Sequence, residues 1–422
     1  MKLQKVIERL QKLHKKKIDL SLGRTFNLLK KLGNPQDKLK NIITVIGTNS
    51  KYSLIKNFQS ILNQAGYKCN LYTSPHLQSY TERYVYDDKE IDEDNLADLL
   101  EDIEKINGSD NLSEFEALTC AYLKYCEQYK DNVTFIEAGL FHRMDSTNVF
   151  KNNLCTLLGS LSIDHLSWLE NKTIDGIIHE KTAKLLTSKI FVNKQENKET
   201  TLKIKDALKD NKSEKYFYGD DFNYLTAENN FIQYEDDKGS IILPEPNILG
   251  EHQLANTSTA IMAARNIFNI KDEHIKKAVT QIDLKGRLQE IKVGKLKTIA
   301  GNNRLVCDGG HNFVAGAALS KWMNTLDQDI NLIVGMMSDK QHKEFMSNFK
   351  GKIKSLTLID IPNQEGSISK EKFKLKIQDD FPNIKLANNI QEAITNVSNE
   401  SQNSYICIIG SFYLLGEILN LN

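Results

Sequence analysis

Residues 42–53 read Ile42-Ile43-Thr44-Val45-Ile46-Gly47-Thr48-Asn49-Ser50-Lys51-Tyr52-Ser53, and this stretch decides the fold. The β-branched run at 42–46 predicts a buried parallel strand, and apolar residues at helical spacing over 54–65 predict a helix. A helix N-terminus offers backbone N–H groups without intrahelical partners, so this strand–turn–helix suits a phosphate group, which Lys51 could reach. The standard P-loop pattern is not matched, since Ser50 precedes the lysine where that pattern has glycine. A plain strand–turn–helix therefore stays the alternative.

Strands and helices alternate along the rest of the chain. Further strands are predicted at 69–72, 133–137, 154–160, 189–193, 305–308, 332–335, 356–360 and 405–410. Helices are predicted at 3–32, 92–106, 114–130, 172–186 and 253–268, with a hairpin or small sheet at 230–243. This alternation predicts an α/β fold with an N-terminal P-loop-like parallel-sheet domain and a smaller C-terminal Rossmann-like α/β domain. The pattern changes near residue 283, so we place the domains at 1–282 and 283–422.

Composition and charge narrow the class of protein. The 422 residues suffice for two or three domains, and Lys plus Arg equals Asp plus Glu at 55 each. Without a net charge we expect neither a nucleic-acid nor a membrane partner. The N-terminus has no apolar signal segment, and no apolar run approaches the ~18 residues of a membrane span. The six cysteines form no CxxC pair and read as small buried hydrophobes, so we expect a cytoplasmic protein.

Polar residues stand at the predicted carboxyl ends of several strands. Glu137 ends one strand, Asp164-His165 follow another, and the stretch 73–77 follows a third. The carboxyl ends of parallel strands share one edge of a sheet, where ligands bind. Magnesium bound with a nucleotide takes one or two carboxylates plus phosphate oxygens and water, which makes Glu137 a candidate ligand. An exposed strand-end glutamate is the alternative, and read alone the 73–77 stretch is an ordinary turn.

The second half of the chain carries a further set of polar residues. Asp308 ends a predicted strand, where a carboxylate can accept from ribose hydroxyls. Arg287 lies near the predicted domain boundary, where a cation could stabilise phosphate charge. Taken singly, each of them is better explained by loop polarity or an ordinary salt bridge.

Taken together, these stretches resemble the folylpolyglutamate synthase/dihydrofolate synthase family, a branch of the muramyl-ligase superfamily. The matching stretches are GTNSKYS at 47–53, TSPHL at 73–77 with Glu82-Arg83, EAGLFHRMDSTN at 137–148, Asp164-His165, HEKTAKL at 179–185, HQLAN at 252–256, GRL at 286–288, DGGHN at 308–312 and GSFYLLGE at 410–417. One such stretch is a weak signal, but their common order and spacing cover nearly the whole chain.

The resemblance implies an ATP- and magnesium-dependent ligase that joins L-glutamate to dihydropteroate, to (tetrahydro)folate, or to both, through an acyl phosphate. It implies a monomer with small-molecule substrates, in which 1–282 binds ATP and the pterin and 283–422 is the glutamate-ligase domain. Which acceptor is used, and how long a polyglutamate chain is made, stay open at the level of the sequence.

The resemblance also implies a role for individual residues. It assigns the ATP phosphates to Thr48, Asn49, Ser50, Lys51, Tyr52 and Ser53, adenine to Asn256, a phosphate to Arg287 and the ribose to Asp308. It assigns magnesium to Ser74, Glu137 and His165, carbamylation to Lys181, and a place near the reacting groups to His311. It assigns the pterin substrate to His14, Ser113, Phe115, Glu116, Met144, Asp145 and Ser146. On these assignments the residues nearest the chemistry are Lys51, Lys181, Arg287 and His311.

Three departures from the family pattern bear on function. Ser50 and Tyr52 replace glycines of the GTNGKGS loop, and Phe141-His142 replace a Gly-Gly pair. If position 50 requires a positive φ, serine there costs on the order of 1 kcal/mol. These departures keep two alternatives open: a muramyl-type amino-acid ligase, and a non-catalytic pterin- or nucleotide-binding relative.

Overall fold

The computed structural model describes residues 2–13, 21–226 and 231–422. The chain divides into two compact units. The N-terminal unit comprises Met1–Asn247 and Leu254–Ile282, and the C-terminal unit comprises Ile248–Gln253 and Asp283–Asn422. Both are α/β units, so the predicted fold class is confirmed.

The N-terminal unit is built on an eight-stranded sheet in the order β4-β3-β2-β5-β1-β6-β7-β8. Its strands are β1 (Asn41–Ile46), β2 (Cys69–Tyr72), β3 (Tyr84–Tyr86), β4 (Lys89–Glu90), β5 (Val133–Glu137), β6 (Asn153–Leu158), β7 (Thr187–Val192) and β8 (Glu214–Phe217). Its helices are α1 (Lys2–Leu10), α2 (Gly23–Lys31), α3 (Lys51–Gln64), α4 (Glu93–Asn107), α5 (Glu114–Cys126), α6 (Ile174–Thr182), α7 (Lys198–Ala207), α8 (Glu251–Ile267, which begins in the short 248–253 segment) and α9 (Asp272–Ala278). The six neighbouring strands β2, β5, β1, β6, β7 and β8 run parallel to one another. Strands β3 and β4 form an antiparallel edge beside β2.

The centre of this sheet is buried on both faces, because helices pack on each side of it. Every side chain of β5 is buried, and only the first residue of β1 is partly exposed. On one face Phe58 of α3 packs edge-on against Phe135 of β5, with ring centroids 5.4 Å apart. Because β1, β2, β5 and β6 are parallel, the loops that follow them lie along one edge of the sheet.

A second, three-stranded antiparallel sheet belongs to the same unit. It consists of β9 (Phe222–Thr226), β10 (Ile232–Asp236) and β11 (Gly239–Leu243), in the order β11-β10-β9. The predicted hairpin corresponds to β10 and β11, whereas β9 was missed because its polar and apolar residues alternate weakly. Its inner face contributes Tyr224, Tyr234 and Ile241 to the core that also contains α3 and α8.

The helical spacing predicted over 3–32 corresponds to two helices rather than to one continuous helix. Helix α1 ends at Leu10 and α2 begins only at Gly23, although both bury apolar faces in the same core. Helical spacing continues across a break whenever two helices cover one core, which is why the pattern alone did not separate them. The predicted stop holds, since Gly33 and Asn34 adopt φ values of 83° and 52°, which end a helix.

The C-terminal unit is a six-stranded sheet in the order β12-β13-β17-β14-β15-β16, with only β12 antiparallel. Its strands are β12 (Gln289–Ile291), β13 (Arg304–Asp308), β14 (Ile330–Val334), β15 (Ser355–Leu358), β16 (Ile384–Leu386) and β17 (Tyr405–Ile409). Its helices are α10 (Lys295–Ala300), α11 (Phe313–Met323), α12 (His342–Ser347), α13 (Lys370–Ile377), α14 (Ile390–Glu400) and α15 (Phe412–Leu421). The β-branched strands β14 and β17 are buried along their whole length.

The sequence predictions about membrane spans and cysteines can be compared with the structure. In the described part of the chain, no helix is both long and apolar enough to cross a membrane. All six cysteines are buried free thiols, as their apolar neighbours indicated.

Candidate active site

The turn between β1 and α3, residues 47–50, is here called the phosphate loop. Gly47 has a φ of 154°, and a Cβ built on it would lie 2.8 Å from the backbone oxygen of Asn49, so only glycine fits. Ser50 caps α3 with a φ of 72°, in the left-handed region. The φ at position 50 is therefore positive, which is the condition under which the sequence predicted a strained serine. Ser50 carries backbone strain of about 1 kcal/mol.

The phosphate loop is held from behind by the segment that follows β6. The backbone N–H groups of Thr48 and Asn49 both donate to the Ser160 oxygen, at 3.1 and 3.0 Å. The Thr48 hydroxyl contacts the Ser162 backbone, and the Asn49 amide donates to the Ser162 hydroxyl at 3.2 Å. These groups shape the loop, so the N–H groups best placed to meet an anion are those of the first turn of α3.

Two lysines meet at one backbone oxygen of this loop. Lys51 Nζ lies 3.3 Å and Lys181 Nζ 3.0 Å from the Gly47 oxygen. Lys51 Nζ is also 3.7 Å from Oε1 of Glu137, whose side chain is 4% exposed. Elements distant in sequence thus bring two cations and a carboxylate together at the carboxyl edge of the sheet.

Burial beside another cation changes the chemistry of Lys181. Its side chain is buried, and desolvation together with the charge of Lys51 lowers the pKa of its amine to about 7. The Phe141 ring lies over this amine, with 5.6 Å from Nζ to the centroid. A substantial part of the amine is therefore neutral, and nucleophilic, near neutral pH.

Glu137 also reaches the loop that follows β2. Its Oε2 accepts from the backbone N–H of Ser74 at 3.1 Å, so the loop after β2 lies against the carboxylate. Within the described residues, no group of three or more His, Cys, Asp and Glu side chains is arranged to hold a metal ion. A carboxylate with one hydroxyl nearby still fits magnesium, which takes few protein ligands when it is bound with nucleotide phosphates.

A small cleft adjoins the phosphate loop and one of the predicted metal residues, His165. Its lining includes Lys51, Phe141, Asp164, His165 and Lys181. His165 has a φ of 55° and a side chain that is 40% exposed, and its Nε2 lies 3.7 Å from Oδ2 of Asp164. The lysine loop, the strand-end glutamate and the histidine predicted from separate stretches thus converge on one edge of the sheet.

Two of the residues predicted to bind the pterin have a local structural role. Ser113 and Glu116 form a capping box at the N-terminus of α5, in which each side chain binds the backbone N–H of the other residue. Arg24 pairs with the same Glu116 carboxylate at 3.0 Å. Phe115, in contrast, lies directly over the backbone of Gly139, where an added Cβ would fall 2.5 Å from its ring.

The stretch 139–147 is folded around a buried carboxylate. Asp145 accepts from the backbone N–H of Leu140 at 2.7 Å and from both the N–H and the hydroxyl of Thr147, at 2.9 and 2.6 Å. Burial raises its pKa, and these hydrogen bonds oppose that effect. Ser146 is buried against Thr119 at 2.9 Å, and Met144 is partly exposed next to it. His14 lies outside the described residues.

Helix α6 is tied to the same stretch by an ion pair that the sequence did not indicate. Arg143 binds Glu180 with both of its forked nitrogens, Nε at 3.1 Å and an Nη at 2.8 Å. The backbone N–H of Arg143 also donates to the backbone oxygen of Glu180 at 2.9 Å. Glu180 therefore fixes α6, and with it Lys181, against residues 139–147.

Asn256 lies on α8 and is 1% exposed. Its Oδ1 accepts from Nδ2 of Asn193, the residue after β7, at 2.7 Å. Asn193 and nearby Gln195 were missed from the sequence. The available signal was the same as for Glu137, namely polar side chains that directly follow an apolar parallel strand.

The C-terminal unit holds the remaining predicted residues near the end of β13. Asp308 is buried and accepts from the N–H groups of Leu288 and Gly310 at 2.8 and 2.7 Å. Burial raises its pKa, and the charge of Arg287 opposes this. The Arg287 guanidinium stacks on the Phe412 ring at 4.4 Å, and His311 Nδ1 lies 2.9 Å from the Gly309 oxygen. A carbonyl can only accept, so Nδ1 carries the proton and Nε2 is the acceptor of neutral His311.

Known proteins are similar to this chain over nearly its whole length. Residues 289–421 match the family described as "Dihydrofolate synthetase, C-terminal domain". The dihydrofolate synthetase of Saccharomyces cerevisiae is 26% identical over 96% of this chain and 98% of its own length. The dihydrofolate synthase/folylpolyglutamate synthase of Haemophilus influenzae is 26% identical over 97% of this chain and 94% of its own.

The chain is thus similar to proteins named dihydrofolate synthase or folylpolyglutamate synthase. Solved structures of such proteins share its fold. Escherichia coli FolC in complex with DHPP and ADP has a TM-score of 0.84 and 24% identity, covering 99% of this chain and 97% of that one. Mycobacterium tuberculosis folylpolyglutamate synthase complexed with ADP and AMPPCP has a TM-score of 0.87 and 21% identity, covering 100% and 98%.

Proposed function

We propose that this protein is an ATP-dependent ligase that joins L-glutamate to dihydropteroate, to a folate, or to both. The observation that carries the proposal is the convergence of Lys51, Lys181 and Glu137 at the end of β1 and β5, in a chain similar to such ligases along its whole length. A site of this kind, with the Lys51 cation beside a carboxylate at a helix N-terminus, suits a polyphosphate and its metal ion.

The reaction has two steps. A carboxylate oxygen of the acceptor attacks the γ-phosphorus of ATP, the bond from that phosphorus to ADP breaks, and an acyl phosphate forms. The amine of L-glutamate then attacks the acyl carbon, loses a proton and expels phosphate, which leaves an amide. Lys51 and the N–H groups at the start of α3 neutralise the charge that moves onto the phosphate oxygens.

Glu137, Ser74 and His165 would hold magnesium. When bound, the ion neutralises phosphate charge and orients the reacting oxygens. Glu137 is suited to this because its carboxylate is already buried and positioned by the Ser74 N–H. Asp164 orients His165, since its carboxylate accepts from the His165 backbone N–H at 2.9 Å.

Lys181 is proposed to be carbamylated. Its neutral nitrogen would form a bond to the carbon of carbon dioxide and release a proton, giving a carbamate anion. The lowered pKa of the amine supports this step, and the nearby Lys51 cation would pair with the new charge. A carbonyl ¹³C signal that appears with labelled bicarbonate and is missing from Lys181→Met is the expected result.

The nucleotide and pterin contacts also stay proposals. Asn256 would meet adenine, Asp308 the ribose, Arg287 a phosphate, and His311 the reacting groups through its unprotonated Nε2. Phe115, which lies over the Gly139 backbone, would offer an aromatic surface to a pterin ring. Met144, Asp145 and Ser146 would line the same region, with Ser113 and Glu116 acting through the cap of α5.

Dihydropteroate is the acceptor we favour. The description matched by residues 289–421 and the name of the yeast relative both specify dihydrofolate synthetase activity. Other relatives are named for both activities, so addition of glutamate to a folate is the second candidate. We further propose a cytoplasmic monomer, which light scattering of the purified protein tests for its oligomeric state.

An acceptor screen tests the proposal. ADP release and product mass are measured with ATP, magnesium and L-glutamate, plus dihydropteroate, tetrahydrofolate or a cell-wall nucleotide acid. Lys51→Met should lower turnover at least ~100-fold, because one charge on the transferred phosphoryl group is no longer balanced. Lys198→Met, at an exposed lysine at the start of α7, is the matched control and should retain wild-type turnover.

Each alternative has its own outcome in this screen. Product formed only with the cell-wall nucleotide acid would establish the muramyl-type ligase instead. ATP binding without ADP release for any acceptor would establish the non-catalytic relative, for which Ser50, Tyr52 and Phe141-His142 are the motivating departures. Full turnover by Lys51→Met would remove the assignment of the phosphate loop.

A further inference from the structure

Beneath the proposed nucleotide site lies a chain of buried amides. Asn193 and Gln195 directly follow β7 and are 3% and 8% exposed. Asn193 Nδ2 donates to Asn256 Oδ1 at 2.7 Å. Its own Oδ1 accepts from the backbone N–H of Lys194 at 2.8 Å and faces the Thr259 hydroxyl at 2.9 Å. Neither Asn193 nor Gln195 belongs to the stretches that carry the family resemblance.

The backbone N–H of Lys194 determines which way both amides face. An N–H group can only donate, so the Asn193 atom next to it must be the oxygen, and the amino group must face Asn256. An amino group can also only donate, so the Asn256 atom that it meets must be oxygen. Shape alone would allow either orientation of an asparagine side chain, but this relay permits one.

We propose that Asn193 is a positioning residue that sets the base selectivity of the nucleotide site. This inference rests on the proposed function, in which Asn256 meets adenine. Asparagine can pair with the Watson–Crick edge of adenine by accepting from the 6-amino group while donating to N1, which is an acceptor in adenine but an N–H donor in a 6-oxo purine. The Asn256 oxygen has two lone pairs, so it can accept from Asn193 and from a 6-amino group together. A 6-oxo purine would place its own oxygen against the Asn256 oxygen. An Asn256 amide in the reversed orientation would therefore favour a 6-oxo purine.

Gln195 joins this relay to the phosphate loop. Its Oε1 accepts from the Leu161 N–H at 2.9 Å, and its Nε2 donates to the backbone oxygen of Asn193 at 2.7 Å. The same Nε2 lies 3.4 Å from the Gly159 oxygen. Ser160, between these residues, accepts the two N–H groups of the phosphate loop. The amide that orients Asn256 and the loop that would hold the phosphates therefore share one rigid support.

Asn193→Asp tests the inference. A carboxylate still accepts from the Lys194 N–H but has no donor for Asn256, so Asn256 must turn its amino group toward residue 193. We expect the ratio of the Kd for IDP to the Kd for ADP, measured by calorimetry with magnesium and no acceptor, to fall at least ~10-fold. Asn193→Leu, which removes both the donor and the acceptor, should lower the ratio as well and covers the case in which the buried carboxylate prevents folding.

A matched control is available in the same sheet. Asn153, the first residue of β6, is likewise buried and donates to the Thr44 hydroxyl at 2.7 Å, at the opposite end of the strands. Asn153→Asp should change the IDP/ADP ratio less than ~2-fold, because it does not touch the relay. A similar fall in this control would show that the ratio reports a general loss of structure and would overturn the inference.

Asn256→Ala separates this inference from the proposed function. An unchanged ratio in Asn256→Ala would mean that Asn256 does not read the base, which removes the adenine assignment itself. If the IDP/ADP Kd ratio fell in Asn256→Ala but stayed unchanged in both Asn193 variants, only the role of Asn193 would be overturned. We expect the ratio to fall in Asn256→Ala and in both Asn193 variants, and to stay unchanged in Asn153→Asp.

Discussion

Replacement of Lys181 by methionine should change how the stability of the N-terminal unit depends on pH. The pKa of this amine is lowered from 10.5 to about 7 in the folded protein, because the ammonium is buried next to Lys51. Between these two values the unfolded chain binds a proton that the folded chain lacks, so the contribution of Lys181 to stability rises with pH. Below pH 7 both states are charged, and the folded state carries the full cost of the buried ammonium.

The size of the effect follows from the same two pKa values. One pKa unit corresponds to about 1.4 kcal/mol, so Lys181 costs several kcal/mol of folding free energy at pH 6 and about 2–3 kcal/mol less at pH 9. Methionine does not ionise. The unfolding free energy of wild type minus that of Lys181→Met should therefore increase by about 2–3 kcal/mol from pH 6 to pH 9.

Urea unfolding in carbonate-free buffer measures this difference, since a carbamate would replace the titrating amine. Fluorescence of Trp168 in a Trp322→Phe background reports the N-terminal unit alone. Lys198→Met should show the same difference from wild type at both pH values, because Lys198 is exposed. A wild-type minus Lys181→Met difference that stays constant from pH 6 to pH 9 would refute the burial of a titrating lysine at this site.

Three further changes have defined outcomes. Ser50→Gly should stabilise the protein by up to about 1 kcal/mol in urea unfolding, because glycine relieves the φ of 72° at a smaller entropic cost; lower stability would mean that the Ser50 side chain makes a needed contact. Asp145→Asn should cost about 2 kcal/mol and slow turnover, because an amide nitrogen would face the Leu140 or Thr147 N–H; unchanged stability would argue against the loop's dependence on that carboxylate. Phe58→Ala should cost about 3–5 kcal/mol without changing the Kd for ADP, since Phe58 is fully buried and packs against Phe135; a loss below ~1 kcal/mol would contradict the packing.

Local signals were sufficient for the elements that carry the site. The β-branched run before Gly47 and the strand ending at Glu137 were predictable, because short β-branched apolar segments favour buried parallel strands. The alternation of strands and helices, with a change of pattern near residue 283, then predicted the two α/β units. The break between α1 and α2 and the edge strands β3 and β4 gave weaker signals, because amphipathic spacing does not change there.

The roles of individual polar residues were harder to predict, because they depend on neighbours far away in sequence. The capping of α5 by Glu116 and its pairing with Arg24 could not be predicted from the sequence, and the role of Glu116 toward a substrate stays a prediction. The binding of Glu180 by two nitrogens of Arg143 was equally unpredictable. Neither pairing has a sequence signature, since the partners lie on separate elements.

Local sequence signals were enough to predict the alternation of strands and helices, the position of the phosphate loop and the order of the polar strand ends, because these depend on neighbouring residues and on the short-range geometry of the backbone. Long-range packing was needed to bring the Lys51 and Lys181 amines together at the Gly47 oxygen and to place Asn193 against Asn256. Those facts depend on burial and on distances of a few ångströms between remote segments, and packing of the whole sheet is what creates both.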